Sequence, residues 1–402
     1  MRRLLDRVPR GWRAVAWIGV LLGLAAAFVA LPPIEVRNPV APVVLGLVAL
    51  TVGIGSWIRG ERRIGAYGIA AGVIGFGVGY LATRSSVEHL DAVVIWGGLL
   101  SLTLVAATPL VFAALGGLFS ERSGVVNIGL EGMMLTGGFF AVWGADVTGT
   151  WELGIVIGLA SGAALGLVHA FFSISLRADQ IVGGTAINLL ALGITSYLFV
   201  RIYGTSGTPS DLSTIPDASL NFLNDIPPHR LGGFLGDAFT HTDYLIWVSF
   251  LMVFVTWVVV FKTPVGLRLR SVGEHPRAAD TVGINVYLTR YLAVVTSGIL
   301  ASAGGVYLTL GFTEGFDHNI TSGRGFIALA ALIFGGWRPF GALVACLLFG
   351  FSSALATSLQ EYSVSVSNLF EALPYVLTLV AVAGVIGRSI PPAAVGKPYV
   401  KQ

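Results

Sequence analysis

Long apolar runs alternate with short charged intervals along the whole chain. A run ending at Leu31 is followed by others near 40–58 and 64–82. From Asp91 onward come runs near 93–118, 128–146, 153–176, 183–203, 244–262, 286–311, 326–336, 340–358 and 370–387. A helix of about 20 apolar residues crosses the hydrocarbon core of a bilayer. The pattern therefore predicts an all-α polytopic membrane protein of about twelve segments: three helices within residues 1–90, a nine-segment core over 91–390, and a tail over 391–402. The 326–336 run is too short to span alone and reads as a re-entrant or broken helix. Met1–Arg13 and its apolar run resemble a signal peptide with a poor cleavage site at Phe28-Val29-Ala30, but the many spans behind them favour an uncleaved first helix.

The charged intervals orient these spans. Arg59-Gly60-Glu61-Arg62-Arg63, Arg122, Arg177, the 262–285 interval, Arg338 and the Arg388/Lys397/Lys401 tail all fall on one side if the segments alternate. Basic loops stay in the cytoplasm, so both termini are expected there. The longest polar interval, Gly204 to Asp243 with Pro209, Pro216, Pro227 and Pro228, then lies outside. Loops of that length are usually functional or disordered, and this one is the natural place for an external partner to touch.

The densest charge lies at 262–285, with Lys262, Arg268, Arg270, Glu274, Arg277 and Asp280. Each charge would cost about 2.5–3.5 kcal/mol at a bilayer centre, so the interval cannot cross. Pro264 and Gly266 are expected to close the preceding helix. Glu274-His275-Pro276-Arg277-Ala278-Ala279-Asp280 reads as a short helix stopped by Gly283. A short rigid helix on the membrane face suits docking of a soluble partner and transfer of its motion; a solvated, positive-inside loop is the plainer alternative.

Composition sharpens the class. Hydrophobic residues make up 55% and charged residues 11%, where soluble domains carry about 25% charge. The 53 glycines allow membrane helices to approach closely. The net charge of +3 resides in loops between spans, so it reports topology rather than nucleic-acid binding. A single cysteine, Cys346, leaves no disulfide framework and no cysteine metal site. The one Gly-Lys pair, Gly396-Lys397, is followed by Pro398, whereas a phosphate-binding loop requires Gly-x-x-x-x-Gly-Lys-Ser/Thr. No nucleophile elbow or His-Glu-x-x-His helix occurs. No catalytic residue, metal site or cofactor is expected in this chain.

Three clusters remain. In Ser120-Glu121-Arg122-Ser-Gly-Val-Val-Asn127-Ile-Gly129-Leu-Glu131-Gly132, Asn127 and Glu131 are spaced to share a helix face, while Gly124, Gly129 and Gly132 make a regular helix unlikely at its start; an acid this deep is costly unless it faces a polar interior or a cavity. Alternatively, Glu131 sits in a first helical turn, favoured by the dipole. In Arg177-Ala-Asp179-Gln180-Ile-Val-Gly183-Gly184-Thr185-Ala-Ile-Asn188, Thr185 and Asn188 could line a pore, with helix packing the favoured alternative. Thr321-Ser322-Gly323-Arg324-Gly325-Phe326 opens the short segment and puts Phe326 at its mouth, suited to stacking on a ring. A faint echo between Gly116-Gly117-Leu-Phe-Ser-Glu-Arg122 and Gly335-Gly336-Trp-Arg-Pro339 hints at broken helices meeting at mid-membrane.

The stretches 117–133, 176–188, 266–284 and 325–335 resemble the permease subunits of bacterial ABC importers of the simple-sugar and branched-chain amino-acid superfamily, in its nucleoside (guanosine and purine) branch. The resemblance covers roughly residues 93–388; the three N-terminal helices depart from the shorter family pattern. It implies a multi-pass protein of the bacterial plasma membrane. It also implies a separate cytoplasmic ATPase subunit that holds ATP and Mg, a second permease, identical or homologous, and an extracellular lipid-anchored binding protein. Gly266, Arg268, Arg270, Gly273, Glu274, His275, Pro276, Arg277, Ala278, Ala279 and Gly283 match the loop that couples to the ATPase. Asn127, Glu131, Thr185, Asn188, Arg324 and Phe326 match motifs that would border the nucleoside pathway. The same machine carrying a monosaccharide or branched-chain amino acid is the alternative. An ion-coupled transporter with Glu131 as carrier, or a channel, is a rival of another class.

Overall fold

The computed structural model describes residues 10–30, 40–84, 96–204, 207–218, 220, 222, 236–240, 242–360 and 390–401. In chain order the helices are α1 (Arg10–Ala30), α2 (Val40–Ile58), α3 (Arg62–Arg84), α4 (Trp96–Arg122), α5 (Leu130–Thr148), α6 (Trp151–Ala170) and α7 (Gln180–Tyr203). After a two-residue strand pair, β1 (Asp217–Ala218) and β2 (Thr242–Asp243), come α8 (Tyr244–Lys262), α9 (Pro264–Glu274), α10 (Pro276–Thr281), α11 (Val286–Val306), α12 (Arg324–Phe334) and α13 (Pro339–Gln360). Eleven of the twelve expected segments appear as helices; the twelfth, 370–387, lies outside the described residues. Seven of the described helices are long and apolar enough to cross a membrane, and α12 with 11 residues is not. The chain is an all-α polytopic membrane protein.

Two compact units divide the chain: Met1–Leu99 with Leu355–Ile386, and Leu100–Ala354 with Gly387–Gln402. In the first, α1, α2 and α3 pack on one another through small residues, with Gly46, Ala49 and Gly53 of α2 buried. In the second, α5 is enclosed by α6, α7 and α11. Glycines set these spacings. A methyl group on Gly305 of α11 would overlap the carbonyl oxygen of Met134 on α5, and one on Gly162 of α6 would come within 2.5 Å of the Gly298 carbonyl. Such backbone-to-backbone approach compensates for the absence of a hydrophobic driving force between helices in lipid. α6 and α11 each extend by a π-helical turn, Phe171–Ser175 and Tyr307–Phe312, reaching 25 and 27 residues.

Capping side chains fix the helix starts. Asp179 accepts from the Ile181 and Val182 N–H groups at α7, 2.8 and 3.0 Å, and Asn285 accepts from Leu288 N–H at α11, 3.0 Å. The interval after Lys262 differs from expectation. Pro264 is the first residue of α9, where its missing N–H costs nothing. Gly266 lies inside that helix, pressed on the last carbonyls of α8. The expectation that both close α8 fails because proline and glycine end one helix and begin the next with the same local chemistry. The interval is therefore two helices in tandem, α9 and α10.

At the other end of α8, about 28 Å away at 1.5 Å per residue, β1 and β2 pair antiparallel, Asp217 opposite Asp243 and Ala218 opposite Thr242. Ile215 N–H donates to the Leu310 carbonyl, 3.0 Å, so this part of the 204–243 interval is seated on the helices. Asp243 is 8% exposed. Burial first, then Asp217 and Glu314, push its carboxyl up to about 7.

Gly305→Ala is expected to destabilise the unit by about 1–3 kcal/mol or more, read as a fall in melting temperature in detergent, while Gly193→Ala, which meets open space, leaves it unchanged. For Asp243 the folded state holds the proton more tightly than the unfolded chain, so stability should decline as pH rises from about 4 to about 7 and level off above. Asp243→Asn should flatten that part of the melting-temperature profile.

Candidate functional site

Between α4 and α5 the helical ladder breaks over Ser123–Gly129, and several of the freed backbone groups find partners. Gly124 takes φ 93°, open to glycine at no cost. Ser120 Oγ donates to the Val125 carbonyl, 2.7 Å. Val126 N–H donates to Gln180 Oε1, 2.7 Å, and His169 Nε2–H to the Val126 carbonyl, 2.9 Å. Asn188 Nδ2 donates to the Ile128 carbonyl, 2.9 Å, and its Oδ1 accepts from Gly132 N–H, 2.8 Å. Asn127, fully buried, donates to Ser297 Oγ, 2.9 Å. Non-helical backbone at membrane depth is tolerated where protein groups of this kind surround it.

Glu131 carries the break across to α12. Its Oε1 accepts from Thr321 Oγ1, 2.6 Å, and Gly323 N–H, 2.7 Å; its Oε2 accepts from Gly325 N–H, 2.6 Å. One carboxylate thus caps a helix of another segment and faces the positive end of its dipole. Gly323 takes φ 82°, and a methyl on Gly325 would lie 2.5 Å from Glu131 N, so the Thr-Ser-Gly-Arg-Gly sequence is the shape of this cap. Arg324 turns back to the Ile320 carbonyl, 2.9 Å, and Phe326, two residues on, is 48% exposed.

The six pathway candidates therefore divide. Glu131, Arg324 and Phe326 meet at the start of α12. Asn127 lies outside α5 and shares no helix face with Glu131, because the break ends only at Leu130. Asn188 is a clamp between α7 and the break. Thr185 is exposed and bonds its own helix through the Ile181 carbonyl, 2.9 Å. Sequence reasoning missed Gln180, Ser297 and Thr321 as partners; a polar residue beside Gly or at a helix start was the available signal. The two Gly-Gly segments meet: Trp337 Nε1 donates to Glu121 Oε2, 2.5 Å, and Arg122 donates to the Trp337 carbonyl, 2.7 and 3.0 Å.

The second site is the α9–α10 pair. Gly266, Leu269, Val272, Gly273 and Ala279 face inward, and Gly273 presses on the Arg122 carbonyl. Arg268, Glu274, His275, Arg277, Ala278 and Gly283 are exposed. Arg270 is half-buried, its guanidinium 5.2 Å from the Phe261 ring centre.

The family described as branched-chain amino acid transport system / permease component matches residues 99–382. The chain belongs to this permease family. The guanosine ABC transporter permease protein NupQ of Bacillus subtilis is 44% identical over 322 residues, 78% of this chain and 99% of that one. The nucleoside ABC transporter permease protein NupC of Lactococcus lactis is 38% identical over 307 residues, 74% and 95%. A Haloferax volcanii chain provisionally named for glucose is 39% identical over 271 residues, 67% and 79%. No solved structure gives a significant match. The break, the α12 cap and the α9–α10 pair all fall within the matched span of the permease.

Glu131→Gln keeps the shape but turns an amide donor toward backbone donors. It should cost the permease about 1.5–3 kcal/mol, read as a lower melting temperature, with Asp, one methylene too short, no better.

Proposed function

We propose that the permease is the membrane-spanning subunit of an ATP-driven importer of nucleosides. Two permeases, a second copy or a homologue, enclose one pathway. A separate cytoplasmic ABC ATPase binds ATP and Mg, and a lipid-anchored binding protein delivers substrate on the outer face. The termini and α9–α10 lie in the cytoplasm.

The observation that carries this reading is the α9–α10 pair: an inward face locked by Gly266 and Gly273, and an outward face on which Arg268, Glu274, His275 and Arg277 are exposed. A rigid charged element of this kind passes motion between subunits, which accords with the missing phosphate-binding loop in this chain. The nucleoside assignment is supported by the names of the Bacillus and Lactococcus relatives. The exposed Phe326 ring beside Arg324 offers a stacking face. Against an ion-coupled carrier, both Glu131 oxygens are committed to the start of α12, so the residue acts as a cap rather than a shuttle.

Cells with and without the chain should be given labelled nucleosides, ribose, galactose, glucose and leucine, under ATP depletion and under an uncoupler. Nucleoside uptake that needs both the chain and ATP is the expected result. ATP-dependent uptake of a sugar or leucine instead keeps the machine and changes the substrate; uptake that follows the ion gradient overturns the coupling assignment. Phe326→Ala should raise KM for nucleoside by about tenfold, since an aromatic stack on a base contributes roughly 1–3 kcal/mol.

A further inference from the structure

The stretch Ile390–Lys401 forms no helix or strand, yet it binds three separate elements of the permease. At the end of α9, Ala394 N–H donates to the Gly273 carbonyl, 2.9 Å, and Ala393 N–H to Glu274 Oε2, 3.2 Å. At the α4–α5 break, Gly396 N–H donates to the Gly124 carbonyl, 3.2 Å. On α11, Arg290 is 1% exposed and donates from Nη1 to the Lys397 carbonyl and from Nε to the Ser123 carbonyl, each 3.2 Å. One buried guanidinium therefore joins the tail to the break. Tyr399, 6% exposed, packs with Val272 of α9, Ala279 of α10 and Val286 of α11, and its ring meets Tyr287 edge-on at 5.5 Å. The Lys401–Asp280 pair at 3.9 Å is exposed on the lysine side and adds little.

These contacts matter because α10 has six residues and only Ala279 buried. A helix that short has no stability of its own, so its direction is set by what it rests on. Tyr399 is the largest buried side chain of the cluster that takes Ala279. The tail also touches the break from which Glu131 leads to the α12 cap, so a displacement of α9–α10 is felt there through the tail as well as through Gly273.

We propose that Ile390–Lys401 is a strap that positions α9–α10 and passes their displacement to the α4–α5 break, with Tyr399 and Arg290 as positioning residues. This rests on α9–α10 being the ATPase-facing element.

The assembled importer, permease with its ATPase and binding protein in proteoliposomes, should be compared for wild type, Tyr399→Ala, Tyr399→Phe and a chain ending at Arg388. The readout is substrate transported per ATP hydrolysed, scored against the amount of permease present. Tyr399→Ala and the shortened chain should lower that ratio by about tenfold, a typical coupling effect, while Tyr399→Phe, which keeps the ring, should stay near wild type. A wild-type ratio in Tyr399→Ala, or a loss of permease with the ratio unchanged, overturns the strap. A wild-type complex that does not hydrolyse ATP in step with transport overturns the ATPase-facing reading itself, and the strap with it.

Discussion

The break between α4 and α5 is the constraint on which the second unit depends. Seven residues of non-helical backbone inside an apolar body leave N–H and carbonyl groups that lipid cannot satisfy. Gln180, His169, Asn188 and Ser120 supply the missing partners. Glu131 then extends the arrangement to the start of α12, a helix too short to span and otherwise without a cap. α5, α7, α11 and α12 are thereby held at one place by hydrogen bonds, while glycines such as Gly305 and Gly162 hold their backbones together elsewhere.

The charged α9–α10 pair lies directly against that arrangement. Gly273 lies on the Arg122 carbonyl, the last residue of α4 before the break. Arg122 in turn holds the Trp337 carbonyl beyond α12. Both ends of α12 are thus tied to residues flanking the break: Glu131 at one end, Glu121 and Arg122 at the other. A push on α9 has short, polar, directional routes to the short helix whose mouth carries Phe326.

Much of the fold was legible in the sequence because lipid imposes a simple rule on length and polarity. The 244–262 run is α8 to the residue, and 286–311 is α11 with its π-helical turn to within one residue. Of the tandem helices, α10 was legible as the short helix ahead of Gly283, and α9 was not. Pro264 terminates one helix and starts the next by the same absence of an N–H, and only the position of Thr263 as a cap, bonded to Gly266 N–H at 3.2 Å, decides between them. Glu131 was visible as an expensive acid, and its place in a first helical turn was one of the two alternatives the sequence offered. What it caps was not, because its partners lie about 190 residues away in the chain. Spacing put Asn127 on a helix face with Glu131, while Gly124, Gly129 and Gly132 already argued against a regular helix there; what spacing does not show is the set of hydrogen bonds from other segments that sustains the break.

The most direct test of the account asks which side of the membrane α10 faces and what covers it. Ala278 is exposed on α10, and the chain's single native cysteine, Cys346, is fully buried. Ala278→Cys therefore gives a clean target for a membrane-impermeant maleimide. The account predicts no labelling in intact cells, labelling in inside-out vesicles stripped of the ATPase, and protection when the ATPase is restored. Labelling from outside intact cells, or labelling in inside-out vesicles that the ATPase leaves unchanged, would contradict it.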